Sequence, residues 1–149
     1  MLIRKFRKKD IFQIPSLIRR AIVERDNKNY TKDQIESSAS YYGAEKFLED
    51  FSNKTVYVCV DDGKIVGTGT LHKDEIMACF ILPEYQGKGI GRELVGILEN
   101  EAKLKGLLNV WLVAVLSAVG FYEGLGYVKI GEKMHRDWGK GIIMEKALE

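Results

Sequence analysis

The sequence has little with which to build a disulfide framework, a metal centre or a membrane anchor. Its 149 residues include two cysteines, two histidines and two prolines. Cys59 and Cys79 both sit inside apolar runs and read as buried free thiols of a reducing compartment. No metal-ligand spacing joins them to His72 or His135, so no metal is expected. A nucleophilic cysteine is disfavoured too, because thiols in apolar surroundings are mostly inert packing. No hydrophobic run approaches the length needed to cross a bilayer, and Met1 to Arg7 carries no apolar signal region, which points to the cytoplasm. Neither sign of charge dominates: 23 Lys and Arg face 21 Asp and Glu, which gives no reason to invoke nucleic acid or a membrane surface as partner. Repeats, low-complexity tracts and Pro/Gly/Ser linkers are missing as well, so a single domain over residues 1–149 is expected.

What is there is well patterned. Leu2 to Phe6 alternates apolar and basic residues and reads as a strand. Asp10 is placed to cap a helix with its apolar stripe at Ile14, Ile18 and Ile22, and Pro15 implies a late or irregular first turn. Thr31-x-x-Gln34 matches a capping box that opens a second helix; Tyr41-Tyr42-Gly43 ends it, and Ala44 to Phe51 reads as a further helical piece. Thr55 to Val60 and Lys64 to Leu71 flank Asp61-Asp62-Gly63 as a hairpin, and His72-Lys73-Asp74 turns into a strand from Glu75 to Leu82 that Pro83 stops. Leu94, Leu98 and Ala102 recur at helical spacing before Gly106. Asn109 to Leu116 reads as a strand buried on both faces, Ser117 to Leu125 as a short helix, and Tyr127 to Lys133 and Ile142 to Leu148 as two last strands around a polar loop. The order β-α-α-β-β-β-α-β-α-β-β predicts an α+β fold with a mixed, mainly antiparallel sheet.

The segment Gln86-Gly87-Lys88-Gly89-Ile90-Gly91-Arg92 carries the strongest chemical signal. It joins a strand to a helix through alternating glycines, which let backbone approach a ligand closely. The first turn of the helix leaves N–H groups unpaired and adds a positive partial charge. Together they suit a phosphate or pyrophosphate, with Lys88 and Arg92 at the rim. Neither a Walker A loop nor G-x-G-x-x-G is matched, and no acidic metal site accompanies the loop, which speaks against a nucleotide-binding regulator.

Gln86-x-x-Gly89-x-Gly91, preceded by Pro83-Glu84-Tyr85, resembles the Q/R-x-x-G-x-G/A signature of the GNAT superfamily of N-acetyltransferases. Ala118-x-x-Phe121-Tyr122-Glu123-x-Leu125-Gly126-Tyr127 resembles that family's second motif, and the resemblance runs from end to end of the chain. It implies a sheet of about seven strands flanked by about four helices, with the strand ending at Leu82 splayed from the strand Asn109 to Leu116. The implied cosubstrate is acetyl-CoA and the implied partner an amine acceptor; relatives are monomers or homodimers. Backbone of Phe80, Ile81 and Leu82 would pair with the pantetheine arm, an N–H near Ile81 would polarise the thioester carbonyl, and the N–H groups of Gly87 to Arg92, Ile90 included, would take the pyrophosphate.

The resemblance also assigns chemistry. Glu75 matches the base of one branch, though a solvated charge at a strand start or a water chain in its place stay open. Tyr122 matches the tyrosine that protonates the departing sulfur; a packed aromatic, or a hydrogen bond without transfer, is the alternative. Val115 stands where relatives carry Asn or Ser, so Ser117 is the candidate replacement contact, and Gly124 replaces a common Lys. An acyl-CoA-binding module with decayed catalysis is therefore the alternative function. Tyr30, Tyr41, Tyr42, His135 and Trp138 are candidate acceptor-lining residues, each also explicable as packing or surface.

Overall fold

Seven strands form one sheet in the computed structural model, which describes residues 1–26, 28–41 and 51–149. They are β1 (Leu2–Lys5), β2 (Thr55–Asp61), β3 (Lys64–His72), β4 (Glu75–Ile81), β5 (Asn109–Val115), β6 (Val128–His135) and β7 (Gly139–Ala147), in the order β1-β2-β3-β4-β5-β7-β6. Every neighbouring pair is antiparallel except β4 and β5. Among the described residues the α-helices are α1 (Ile14–Asp26), α2 (Lys32–Tyr41), α3 (Ile90–Leu104) and α4 (Val119–Gly124). The expected α+β architecture is therefore present. Tyr42, and the helical piece expected over Ala44 to Phe51 apart from Phe51 itself, lie outside the described residues.

Local chemistry explains most of these elements. In the hairpin, Asp62 and Gly63 both adopt left-handed φ (49° and 78°), the geometry that matches the twist of the flanking strands. The capping box at α2 is reciprocal: Gln34 N–H donates to Thr31 Oγ1 at 3.1 Å and Thr31 N–H to Gln34 Oε1 at 3.0 Å. Asp10 corrects the expectation made for it. It does not cap α1; it lies in a 3-10 turn, Lys8–Phe12, and accepts from both Arg4 Nη atoms (2.8 and 2.9 Å) and from Arg7 N–H (2.7 Å). The helix instead starts at Ile14, with Pro15 in its first turn where a missing N–H costs nothing.

Asp10 is only 4% exposed, and the Arg4 guanidinium holds its carboxyl below the usual carboxylate range. Removing it strands Arg4 against the sheet. We expect Asp10→Ala to destabilise the fold by about 2–4 kcal/mol. The folded carboxylate titrates lower than the unfolded one, so its contribution is present above the ordinary Asp range and is lost as pH falls through the depressed value. Urea denaturation of both proteins at neutral and acid pH checks this; a neutral-pH difference below about 0.5 kcal/mol would contradict it.

Three strands differ from expectation in ways that shape the site. β5 was expected to be buried on both faces, yet it alternates: Val110, Leu112 and Ala114 are buried, while Trp111, Val113 and Val115 are half-buried because their face is not covered by α3. The last hairpin extends further than expected, with His135 paired to Gly139 and Lys133 to Gly141, so that only Arg136, Asp137 and Trp138 form its turn. Glycines in β7 carry no β signal of their own, and pairing with two strands supplies what propensity lacks.

Candidate active site

The site begins where the sheet comes apart. β4 and β5 are paired at Glu75 and Trp111, where Trp111 N–H donates to the Asp74 carbonyl at 3.1 Å. Beyond that point their partnership ends, and a cavity of about 340 Å³ opens between Glu75–Phe80 of β4 and Leu112–Val115 of β5. Its walls continue with Tyr122 of α4 and, on the far side, with α2 and the β6–β7 hairpin. β4 is also bulged: Ala78 has φ 52°, and the register against β3 slips between Phe80 and Met77. A left-handed alanine costs energy that the surrounding pairing must supply, and bulges re-aim the backbone beside them. Nothing in the sequence signalled it.

At the mouth of the gap lies the glycine loop. Gly87 and Gly89 have φ of 77° and 86°, and a Cβ at either would meet nothing within 4 Å. The glycines there serve the turn, and leave open space in front of it. Among the described residues no backbone carbonyl accepts from the N–H groups of Gly87 to Arg92; the first backbone bond into α3 runs from Glu93 N–H to Gly89 O at 3.1 Å. Gly91 has a different reason: a Cβ there would come within 3.2 Å of Phe121 Cζ, so its role is close packing against α4. The Ile90 side chain is buried and anchors the helix start, while Gln86 turns back to donate from Nε2 to the Ile81 carbonyl at 3.3 Å. Lys88 lies over the Tyr85 ring at 5.1 Å, and Arg92 is exposed. Glu84, the acidic neighbour, is paired with Arg20 (2.9 Å), which keeps its charge from opposing an anion.

Strand alternation narrows the expectation for β4. Leu82 N–H already donates to Val66 O at 2.9 Å, and Phe80 stands opposite Thr68 in the same ladder. Ile81, between them, is the residue of the three whose N–H and C=O point away from β3.

Glu75 and Tyr122 line the same cavity. Burial pushes the Glu75 carboxyl up, against the charges of Lys133 and Lys54 that pull it down. Tyr122 is 9% exposed, with Phe121 edge-on at 5.0 Å and Tyr127 at 5.6 Å, and its carbonyl accepts from Leu125 and Tyr127 N–H. Ser117 is exposed and does not line the cavity. Of the acceptor candidates, Tyr30, Tyr41, His135 and Trp138 all do. Tyr30 is tied to the scaffold: its hydroxyl donates to Lys140 O at 2.6 Å and accepts from Leu116 N–H at 3.2 Å, joining the end of β5 to the hairpin. Lys133 was missed. Its two-residue spacing from His135 on a strand was the available signal.

Comparison with known proteins bears on family and fold. Residues 26–148 match the family described as acetyltransferase (GNAT) domain. An uncharacterised acetyltransferase of Streptococcus pyogenes serotype M1 is 31% identical over 63% of this chain and 70% of its own. The S-(2-succino)cysteine N-acetyltransferase of Bacillus subtilis is 30% identical over 76% of this chain and 79% of its own. A GCN5-related N-acetyltransferase from Rhodopseudomonas palustris superposes with a TM-score of 0.94 at 24% identity, over 99% of this chain and 95% of that one. The PaiA N-acetyltransferase of Thermoplasma acidophilum, solved with coenzyme A, gives 0.80 at 26% identity over 98% of each chain.

Proposed function

The chain belongs to the GNAT family of acetyltransferases, and from that premise we propose that it moves the acetyl group of acetyl-CoA to a primary amine. The observation that carries the reading is the gap between β4 and β5, with a run of N–H groups from Gly87 to Arg92 that no backbone carbonyl takes up at its mouth. The slot suits an extended arm and the loop suits a pyrophosphate, which is the shape and charge order of coenzyme A. The solved relative bound to coenzyme A and the relative named as an N-acetyltransferase support the same choice.

Acetyl-CoA supplies a thioester activated toward amines. Around it the residues divide the work. The N–H groups of Gly87 to Arg92 hold the anion, and Ile81 N–H donates to the carbonyl oxygen as that oxygen gains charge. An alkylamine has a pKa of about 10.4, so at neutral pH it must shed a proton before attacking. Glu75 takes that proton: burial raises its affinity for it, as a base in this role needs. Tyr122 holds a proton on its phenol beside the leaving sulfur.

Glu75→Gln is expected to trade activity for stability. The folded Glu75 titrates above its unfolded value, so its ionisation costs the fold as pH rises through the raised value. The variant should melt higher than wild type near pH 8, with the difference vanishing below about pH 4, and should lose about 10²-fold in kcat. Unchanged kcat would remove Glu75 from the reaction. The reading as a whole is tested by titrating acetyl-CoA into the protein in a calorimeter and following thiol release with primary amines. Failure to bind acetyl-CoA would refute it.

A further inference from the structure

The acceptor side of the cavity has a charge arrangement that the acetyl-transfer reading alone does not explain. Resting on that reading, we propose that the acceptor is a small amine that also carries a carboxylate, an amino-acid-like acid, held through its carboxylate by Lys133 and His135.

The two side chains stand two residues apart on β6, hence on one face, and opposite them in register are Gly141 and Gly139. Both donors therefore stand beside a glycine floor on which other side chains pack directly: a Cβ at Gly139 would meet Gln34 Nε2 at 2.9 Å and Tyr30 Cδ1 at 3.2 Å. A Cβ at Gly141 would meet Val113 Cγ1 at 2.5 Å, so β5 closes against that floor directly. Asp137 N–H donates to His135 Nδ1 at 3.0 Å, which leaves the ring proton on Nε2 as a donor for a ligand. The ring is fixed by parallel stacking on Trp138 at 3.9 Å, and Tyr41 meets Trp138 edge-on at 4.6 Å.

Lys133 is set apart from its neighbours by what it lacks. Lys140 and Lys129 share Glu132 at 3.1 and 3.3 Å, whereas among the described residues no carboxylate lies within ion-pair distance of Lys133. Glu36, on the α2 side, is paired with Arg19 at 2.7 Å. Glu75 is then the one carboxylate among the described residues lining the cavity, and it faces an amine. A polycation would find that single carboxylate and an opposing lysine; an amine with a carboxylate finds a partner for each end. Size points the same way. About 340 Å³ is near the lower end for ligand cavities, roughly 300–1,000 Å³, and the thioester end must share it.

Matched pairs of acceptors test this: L-phenylalanine against phenethylamine, L-leucine against isoamylamine, and L-methionine against 3-(methylthio)propylamine, with spermidine as polycation. Thiol release gives kcat/KM, and acetyl-CoA titration runs alongside. We expect each acid to exceed its decarboxylated partner by about tenfold to a hundredfold, the effect of a charge-assisted hydrogen bond. In Lys133→Met that ratio should fall toward one, chiefly through KM; Lys133→Arg should restore most of it. Decarboxylated amines or spermidine reacting as well as the acids would overturn the proposal. So would a ratio unmoved in Lys133→Met, or acetyl-CoA binding without turnover of any acid. Absence of acetyl-CoA binding would instead strike the underlying transferase reading, and the acceptor class with it.

Discussion

Tyr122→Phe is expected to lower kcat by about 10²-fold while leaving acetyl-CoA affinity close to wild type. The ring is held on three sides, by its own helix, by Phe121 and by Tyr127, and a phenyl group keeps all of those contacts. Only the hydroxyl is lost. Its value follows from the acids involved. A free thiol has a pKa of about 8.5 and a phenol about 10, so complete transfer in water runs uphill by about 2 kcal/mol. Inside the cavity the thiolate loses its hydration, which raises its demand for a proton or a strong donor. On the proposed reading the hydroxyl would act mainly as the bond absorbing charge when the C–S bond breaks, and the lower end of the general-acid range is the fitting expectation. Pre-steady-state thiol release is the measurement. If the rate holds while the protein folds normally, Tyr122 is packing and the leaving group takes its proton from water.

Gly89→Val should weaken acetyl-CoA binding by about 10²–10⁴-fold. Gly89 sits at φ 86° immediately before α3, a conformation that a β-branched residue resists. Relaxing it turns the peptide planes on either side, so at least two of the N–H groups that would hold the proposed pyrophosphate point elsewhere. At about 1.5–3 kcal/mol for each hydrogen bond to a charged group, two lost bonds account for that range. The stability cost is smaller, about 1–2 kcal/mol, because the position is open and nothing is displaced. Gly91→Ala is the contrast: its added methyl presses on Phe121 at 3.2 Å but leaves the loop conformation alone, so binding should change far less. Calorimetry with acetyl-CoA on the three proteins separates the cases. Equal affinity in Gly89→Val would place the pyrophosphate somewhere other than this loop.

Which features were legible before folding follows from how far apart their causes lie. The capping box of Thr31 and Gln34 is contained within four consecutive residues and forms as read, and the turn read over Asp61-Asp62-Gly63 forms over its last two residues, Asp61 joining β2. Asp10 misled because its partner is Arg4 of the neighbouring strand, and a bidentate guanidinium outcompetes the N–H groups of a helix start. The pattern of Asn109 to Leu116 reads as doubly buried because apolar residues facing a cavity look the same in sequence as those facing a helix. Lys133 looked like any surface lysine of an edge strand. Its neighbours' pairing with Glu132 became visible only once β6 and β7 were in register.

By itself the sequence determined the strands and α-helices of the described residues, their order and the loop that leaves a run of N–H groups without backbone acceptors, because turns, caps, periodicity and glycine backbone freedom act over a few residues. Tertiary structure alone decided where β4 leaves β5, that Ala78 bulges, that Ile81 rather than Leu82 turns its N–H to the gap, and that Gly91 answers to Phe121 rather than to a turn. Each of these depends on the register between segments distant in the chain, and a one-residue change in register reverses the direction of every group it touches.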